Sequence, residues 1–203
     1  MMAAGAVFDQ LAPTYDATWT NSARGRAQRN TVWREIQGLL RAGDHVLDLG
    51  CGTGEDALYL DSHGVRVHAI DASPEMVRTA EARGVNARVL RIEDLGQLEG
   101  SYDGAISNFG ALNCVADFPA VGATLGRLLH PGGWLAICLM PRLCWSEILR
   151  FEFRRWQRQA AWRGIHIYYP SARQLGRALP GFVLVRRRSI AWGDHCFFLF
   201  KRN

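Results

Sequence analysis

Apolar residues in this chain fall into two alternating kinds of segment. Some are short runs of apolar residues with few polar interruptions; others are longer stretches in which apolar positions recur every three or four residues. Helical spacing covers 24–40, where Ala27, Val32, Ile36, Leu39 and Leu40 form a stripe that Gly43-Asp44 ends. A buried-type strand follows at 45–49, then a helix at 55–62 that stops at Gly64. A second strand is expected at 65–70. The helix at 73–83 has Ser73 as N-cap, Pro74 at its first position and Gly84 as its close. Strands at 87–92 and 102–107 precede a helix at 118–129, terminated by Pro131-Gly132-Gly133, and a strand at 134–140. Helical spacing returns at 145–163, through Trp145, Leu149, Phe153, Trp156 and Ala160, and again at 171–178. Strands at 182–190 and 195–201, joined by a turn at Gly193-Asp194, end the pattern. At the other end, 8–16 is a short mixed lead-in.

Strands alternating with helices at this spacing build βαβ units. The expected fold is α/β: a doubly wound, mostly parallel seven-stranded sheet with an antiparallel C-terminal hairpin strand. The 203 residues suit one domain, in four parts. These are a lid and helix at 1–42, a ligand-binding core at 43–140, an insertion at 141–170, and a last helix with hairpin at 171–203.

Composition narrows the picture only a little. Hydrophobic residues make up 48% and charged residues 21%, as in an ordinary globular protein. The five cysteines are scattered without metal spacing, which predicts a reduced, cytoplasmic protein with no structural metal. The first residues lack the basic start and apolar stretch of a signal peptide, and the longest apolar run, 134–140, is too short to span a bilayer. The net charge of +5 is carried almost wholly by arginine, with Lys201 the one lysine. Local clusters at Arg154, Arg155 and Arg158 and at Arg186, Arg187 and Arg188 read first as a solvated basic face, so nucleic acid is not the expected partner.

The candidate chemistry lies in "VLDLGCGTGEDALYL", 46–60, where Gly50, Gly52 and Gly54 follow the first strand. In a doubly wound sheet this turn lies where ligands bind, beyond the carboxyl ends of the strands. Glycine there permits positive φ and brings backbone close to the ligand. Asp71, 17 residues after Gly54 at the end of the second strand, is placed to accept both hydroxyls of a ribose. NAD and S-adenosylmethionine both fit that far. The loop separates them: the pattern is G-x-G-x-G rather than the dinucleotide G-x-G-x-x-G, and Asp48, Glu55 and Asp56 flank it. Three acids repel a pyrophosphate and suit a ligand with a sulfonium and an ammonium.

These residues resemble the class I S-adenosylmethionine-dependent methyltransferases. "VLDLGCGTG" is similar to that family's first motif, bringing Asp48, Gly50, Cys51, Gly52 and Gly54 to the cofactor. "VHAIDASPEMVRTA" resembles the second, which implies Asp71 and Ala72 at the ribose and Met76 near the adenine. "LLHPGGWLAI" resembles the turn before the fifth strand, and "FDQLAPTYDATW" the N-terminal lid of the small-molecule branch that includes ubiquinone and menaquinone methyltransferases. In that branch, residues matching Tyr15 and Arg29 lie near the cofactor's amino-acid end. The adenine-binding acid has no single counterpart in "LRIEDLGQL": Arg91 stands where an Asp is common, leaving the backbone at Ile92 and the side chains of Glu93 or Asp94.

"SNFGALNC", 107–114, stands in place of the D/N-P-P-Y/F of nucleobase and glutamine methylating relatives, and the resemblance implies that Asn108 and Phe109 lie beside the transferable methyl. His166, of a type suited to proton removal, and Tyr168 complete the catalytic candidates with Asn108. The insertion at 141–170 holds Trp145, Phe151, Phe153, Trp156, Trp162, Tyr168 and Tyr169, more aromatic surface than one stripe covers. It predicts a pocket for a planar or apolar small-molecule acceptor, with Phe109 and Asn113 as floor and Arg150 or Arg154 at the rim. Two alternatives stay open at this level: an RNA or protein methyltransferase that uses the arginines, and a non-catalytic cofactor-binding partner protein.

Overall fold

The computed structural model describes residues 4–140, 159–190, 193 and 195–203. The expected alternation appears in order: β1 (His45–Leu49), α3 (Glu55–Asp61), β2 (Arg66–Asp71), α4 (Pro74–Ala82), β3 (Ala87–Val89) and β4 (Tyr102–Ser107). Then come α5 (Phe118–Leu128), β5 (Leu129–Leu139), α6 (Ala172–Ala178), β8 (Phe182–Ile190) and β9 (His195–Arg202). Two helices precede them, α1 (Ala4–Tyr15) and α2 (Ala23–Ile36), and a two-stranded ribbon, β6 (Gln159–Trp162) with β7 (Ile165–Tyr168), stands apart.

The main sheet has seven strands in the order β3-β2-β1-β4-β5-β9-β8. The first five are parallel; β9 runs antiparallel to both β5 and β8. The hairpin is as expected, but its second strand turns inward against β5, so β8 forms the edge. The strand order reverses between β1 and β4, and a crevice at their carboxyl ends follows from that reversal.

Period-two alternation assigns each strand's side chains to one of two layers. Leu135, Ile137 and Leu139 of β5, with Phe198 and Phe200 of β9, face α5 and α6. Trp134, Ala136 and Cys138, with Phe197 and Leu199, face α2. Val32 and Ile36 of α2 are fully buried on that second face, which is why the 24–40 stripe was visible in the pattern.

Four expectations change. The lead-in at 8–16 is part of α1, which runs on into a π-helical turn, Asp16–Thr20. Pro13 argues locally against a helix, but α1 packs on α4 closely enough that a Cβ on Gly5 would lie 2.3 Å from the Ala72 carbonyl oxygen. The helical reading of 145–163 fails at its end, because Gln159–Trp162 is a strand paired with β7. Arg163 (φ 49°) and Gly164 (φ 83°) make a two-residue turn of the left-handed kind that hairpins favour. The remainder of that segment, with Trp145, Phe151, Phe153 and Trp156, lies outside the described residues, as does the Trp162 side chain. The third strand is shorter than 87–92, because Ile92–Gln97 is 3-10 helical. Finally, Pro131-Gly132-Gly133 does not precede the fifth strand but bulges within it, where the register jumps between Tyr102↔Leu129 and Gly104↔Trp134.

Candidate active site

The loop from Gly50 to Gly54 joins β1 to α3, and the N–H groups of Gly50 and Cys51 both donate to the Ile70 carbonyl, at 2.8 and 2.9 Å. Its three glycines have positive φ (77°, 54° and 88°), but they are bare for different reasons. A Cβ on Gly50 would lie 2.3 Å from the Ala111 Cβ, and one on Gly54 would lie 2.8 Å from Val85 Cγ2. One on Gly52 would meet nothing within 4 Å. Close packing therefore demands two of the glycines, and open space lies in front of the third.

Asp71, at the end of β2, fixes that open face. Its Oδ2 accepts the Gly52 N–H and its Oδ1 the Ser73 N–H, both at 2.9 Å. Burial pushes the Asp71 carboxyl up, and the backbone donors pull it back. A carboxylate has about four lone-pair sites, so acceptor capacity remains for a ligand.

A cavity of about 510 Å³ opens here, within the range of roughly 300–1,000 Å³ typical of small-molecule sites. Gly50, Gly52, Asp71, Ala72 and Met76 form one wall. Ile92 and Glu93 line its far side, with Arg91, which pairs with Glu93 at 3.3 Å. Tyr15 and Phe8 close it from α1, and Asn108 and Phe109 stand at the end of β4. His166 and Tyr168 of β7 complete it, their rings 6.4 Å apart.

Behind the Tyr15 end lies a buried charge network. Arg29 forms an ion pair with Asp56, whose other oxygen accepts the Trp33 indole N–H at 2.7 Å. Burial pushes the Tyr15 hydroxyl up to about 12, against the pull of Arg29. Burial, then the neighbouring Asp56, hold the Asp48 carboxyl well above the usual carboxylate range, and its Oδ2 has no partner. Glu55 is held low by Arg83 and Arg26, and Thr53 donates to Asp16 at 2.6 Å, tying the π-helical turn to the glycine loop.

Two other features carry strain or unmet bonding. Phe109 adopts φ 54°, rare for a non-glycine, and stacks edge-on to Trp19 (6.2 Å) and His195 (5.5 Å) with Arg29 over its face at 4.8 Å. Asn108 is 8% exposed, and neither amide atom has a hydrogen-bond partner.

Of the residues expected at the site, Arg29, Asp48, Cys51 and Gly54 sit behind the lining and not on it, and Asp94 is not brought to it. Asn113 is not a floor: its Nδ2 donates to the Met140 and Tyr168 carbonyls (3.2 and 2.6 Å) and its Oδ1 accepts the Met140 N–H at 2.9 Å. It staples β5 to β7. Arg150 and Arg154 lie outside the described residues. Residues that pattern reading missed include Gly5, Val115, Ala116 and Ile165, which lie in none of the quoted motifs and reach the cavity only through packing. Among the described residues no group of three or more His, Cys, Asp or Glu is placed to hold a metal, and no helix is long and apolar enough to cross a membrane.

The model of the methyltransferase domain family matches residues 23–182. The chain belongs to the methyltransferase domain family. Its relatives include a ubiquinone biosynthesis O-methyltransferase of Xanthomonas oryzae pv. oryzae, 38% identical over 108 residues, or 50% of this chain and 45% of the relative. A demethylmenaquinone methyltransferase of Symbiobacterium thermophilum is 31% identical over 161 residues, 72% of this chain and 62% of the relative. This methyltransferase domain thus spans about half the length of the curated relatives it matches. Among solved structures it is similar in fold to the 1,6-didemethyltoxoflavin-N1-methyltransferase of Burkholderia thailandensis. The TM-score is 0.68 at 23% identity, covering 100% of this chain and 92% of that one.

Proposed function

We propose that the protein transfers a methyl group from S-adenosylmethionine to a small-molecule acceptor. The observation that carries this reading is the cavity itself. Bare Gly52 and doubly bonded Asp71 form one wall, and the unpartnered amide of Asn108 stands at the other end. Those residues fit the cofactor: an acid with spare acceptor capacity for a ribose, an unpartnered Asp48 oxygen behind the wall at the amino-acid end, and Ile92 and Glu93 for the adenine.

When bound, the cofactor supplies an electrophilic methyl carbon on a sulfonium. The chain's own residues do the rest. Asp71 accepts the ribose hydroxyls. Tyr15 lines the amino-acid end, backed by the Arg29–Asp56 ion pair and by Asp48, whose Oδ2 has no partner. Asn108 offers the donor and acceptor that its burial leaves unused. Phe109, Phe8 and Tyr15 exclude water. His166 and Tyr168 orient the acceptor, and the His166 imidazole takes its proton. Positioning of this kind is worth roughly 7–11 kcal/mol, so no further catalytic apparatus is needed.

A planar or apolar acceptor fits the aromatic lining, and quinone-type chemistry in the named relatives supports it. Nucleic acid is a poorer fit, because Arg186 and Arg188 are both paired to Glu35. The free thiols of Cys51, Cys114, Cys138 and Cys196 support a reduced, cytoplasmic setting.

Calorimetry with S-adenosylhomocysteine tests the reading. Asp71→Ala should weaken binding by about 1.5–3 kcal/mol, because a charged acceptor is lost. Unchanged affinity in the folded variant removes the ribose assignment. Tight NADH binding by the wild type, without S-adenosylhomocysteine binding, removes the cofactor.

A further inference from the structure

A second cavity, of about 1,100 Å³, opens at the same edge of the sheet between α5, α6 and the first residues of β9. Val115, Ala116 and Tyr168 line both cavities, so a ligand seated in the second lies against the wall of the first. Its floor is apolar, built on buried Phe118, Leu139 and Phe198. Its rim carries three cations and, among the described residues, no acid: Arg173 and Arg177, four apart on one face of α6, and Arg187 of β8.

Strand alternation explains why Arg187 differs from its neighbours. Arg186 and Arg188 point to the α2 side and both reach Glu35, at 2.9 and 3.0 Å. Arg187 points the other way. Its Nε donates to Cys196 Sγ at 3.4 Å and its guanidinium lies 5.7 Å from the Phe198 ring, so the terminal nitrogens are left for a ligand. None of Arg173, Arg177 and Arg187 has a carboxylate partner among the described residues.

We propose that this cavity is the acceptor-recognition site, and that it takes a small organic anion with a planar or apolar body. The proposal rests on the methyl-transfer reading above and narrows its substrate class. Guanidinium groups bind carboxylate-like oxyanions with paired, charge-assisted hydrogen bonds. The adjoining cavity has the Asp71 carboxyl on its wall, and the arginine in its lining, Arg91, is paired with Glu93, so it offers the same anion no free guanidinium. That difference orients the acceptor: anionic end held among the arginines, reactive end directed past Tyr168 toward the methyl.

Two dyes that share one ring system test this. Anilinonaphthalene sulfonate carries an anion, and N-phenyl-1-naphthylamine lacks it. Both are titrated by fluorescence into protein saturated with S-adenosylhomocysteine, in the wild type and in the triple variant Arg173→Gln, Arg177→Gln, Arg187→Gln. The expected result is about a tenfold loss of sulfonate-dye affinity in the variant, with the neutral dye and S-adenosylhomocysteine unchanged. Equal loss of both dyes, an unchanged sulfonate dye, or no sulfonate-dye binding to the wild type overturns the proposal. A wild type that fails to bind S-adenosylhomocysteine sinks the methyl-transfer reading instead, and the contrast between dyes, then measured without it, still reads the cleft.

Discussion

The glycine-loop cavity draws one wall from a single β-α-β-α stretch: Gly50 and Gly52 follow β1, Asp71 ends β2, and Ala72 and Met76 come after it. The arginine-rimmed cleft beside it is assembled from α5, the end of β5, α6, β8 and β9, pieces that lie far apart in the chain. The first is acid-backed, and its one buried cation is paired; the second has free cations and no acid among its described lining. On the proposed reading the cofactor is held by local sequence, where glycine spacing and a strand-end acid suffice, and the acceptor where distant elements converge; arginine does opposite work in the two places.

The sharpest way to break this contrast is to remove an arginine from each region. Arg29 is 6% exposed and bound to Asp56, so Arg29→Leu strands a buried carboxylate and should cost about 3–5 kcal/mol in urea unfolding. Arg187→Leu removes an exposed cation with no carboxylate partner, only the Cys196 Sγ and Phe198 contacts, and should cost no more than about 1 kcal/mol. Equal costs would end the distinction.

β9 divides the two regions residue by residue, with His195 against Phe109 of the glycine-loop cavity and Cys196 in the cleft. Burial, then Arg24, lowers the His195 imidazole to about 4. The unfolded chain takes that proton near 6.5, so the contribution of a neutral His195 is complete above pH 6.5 and is lost as pH falls toward 4. Its size is about 3 kcal/mol. His195→Phe should flatten this stretch of the stability curve; an equal acid loss in the variant would assign it elsewhere.

A third contrast lies within the glycine loop. Gly50→Ala forces a Cβ against Ala111 at positive φ and should destabilise by about 2–3 kcal/mol. Gly52→Ala meets only open space and should cost about 1 kcal/mol of stability while weakening S-adenosylhomocysteine binding. Reversed outcomes would mean that the ligand does not approach Gly52.

Much of this was legible in the pattern. The strand at 45–49, the Ser73 cap over Pro74 and the last hairpin each follow from short-range chemistry, and the Ser73 side chain does accept the Met76 N–H at 3.1 Å. Other parts were not. α1 carries Pro13 and shows no strong stripe; it is a helix because Gly5 lets it seat against Ala72. The 145–163 periodicity continued through Ala160 by coincidence of spacing, and only the pairing of Gln159–Trp162 with β7 makes its end a strand. Asn113 looked like a ligand group and is a staple, which its own neighbourhood in sequence does not reveal.

By itself the sequence determined the order of elements, the class of sheet and the ligand end of the first two strands, because periodicity, caps and positive-φ glycines act over a few residues. The tertiary structure alone decided which glycine faces open space, which of three adjacent arginines is free, and that Asn108 is buried without a partner. Those outcomes depend on what lies across the space, and burial and charge pairing are set by residues brought together from distant parts of the chain.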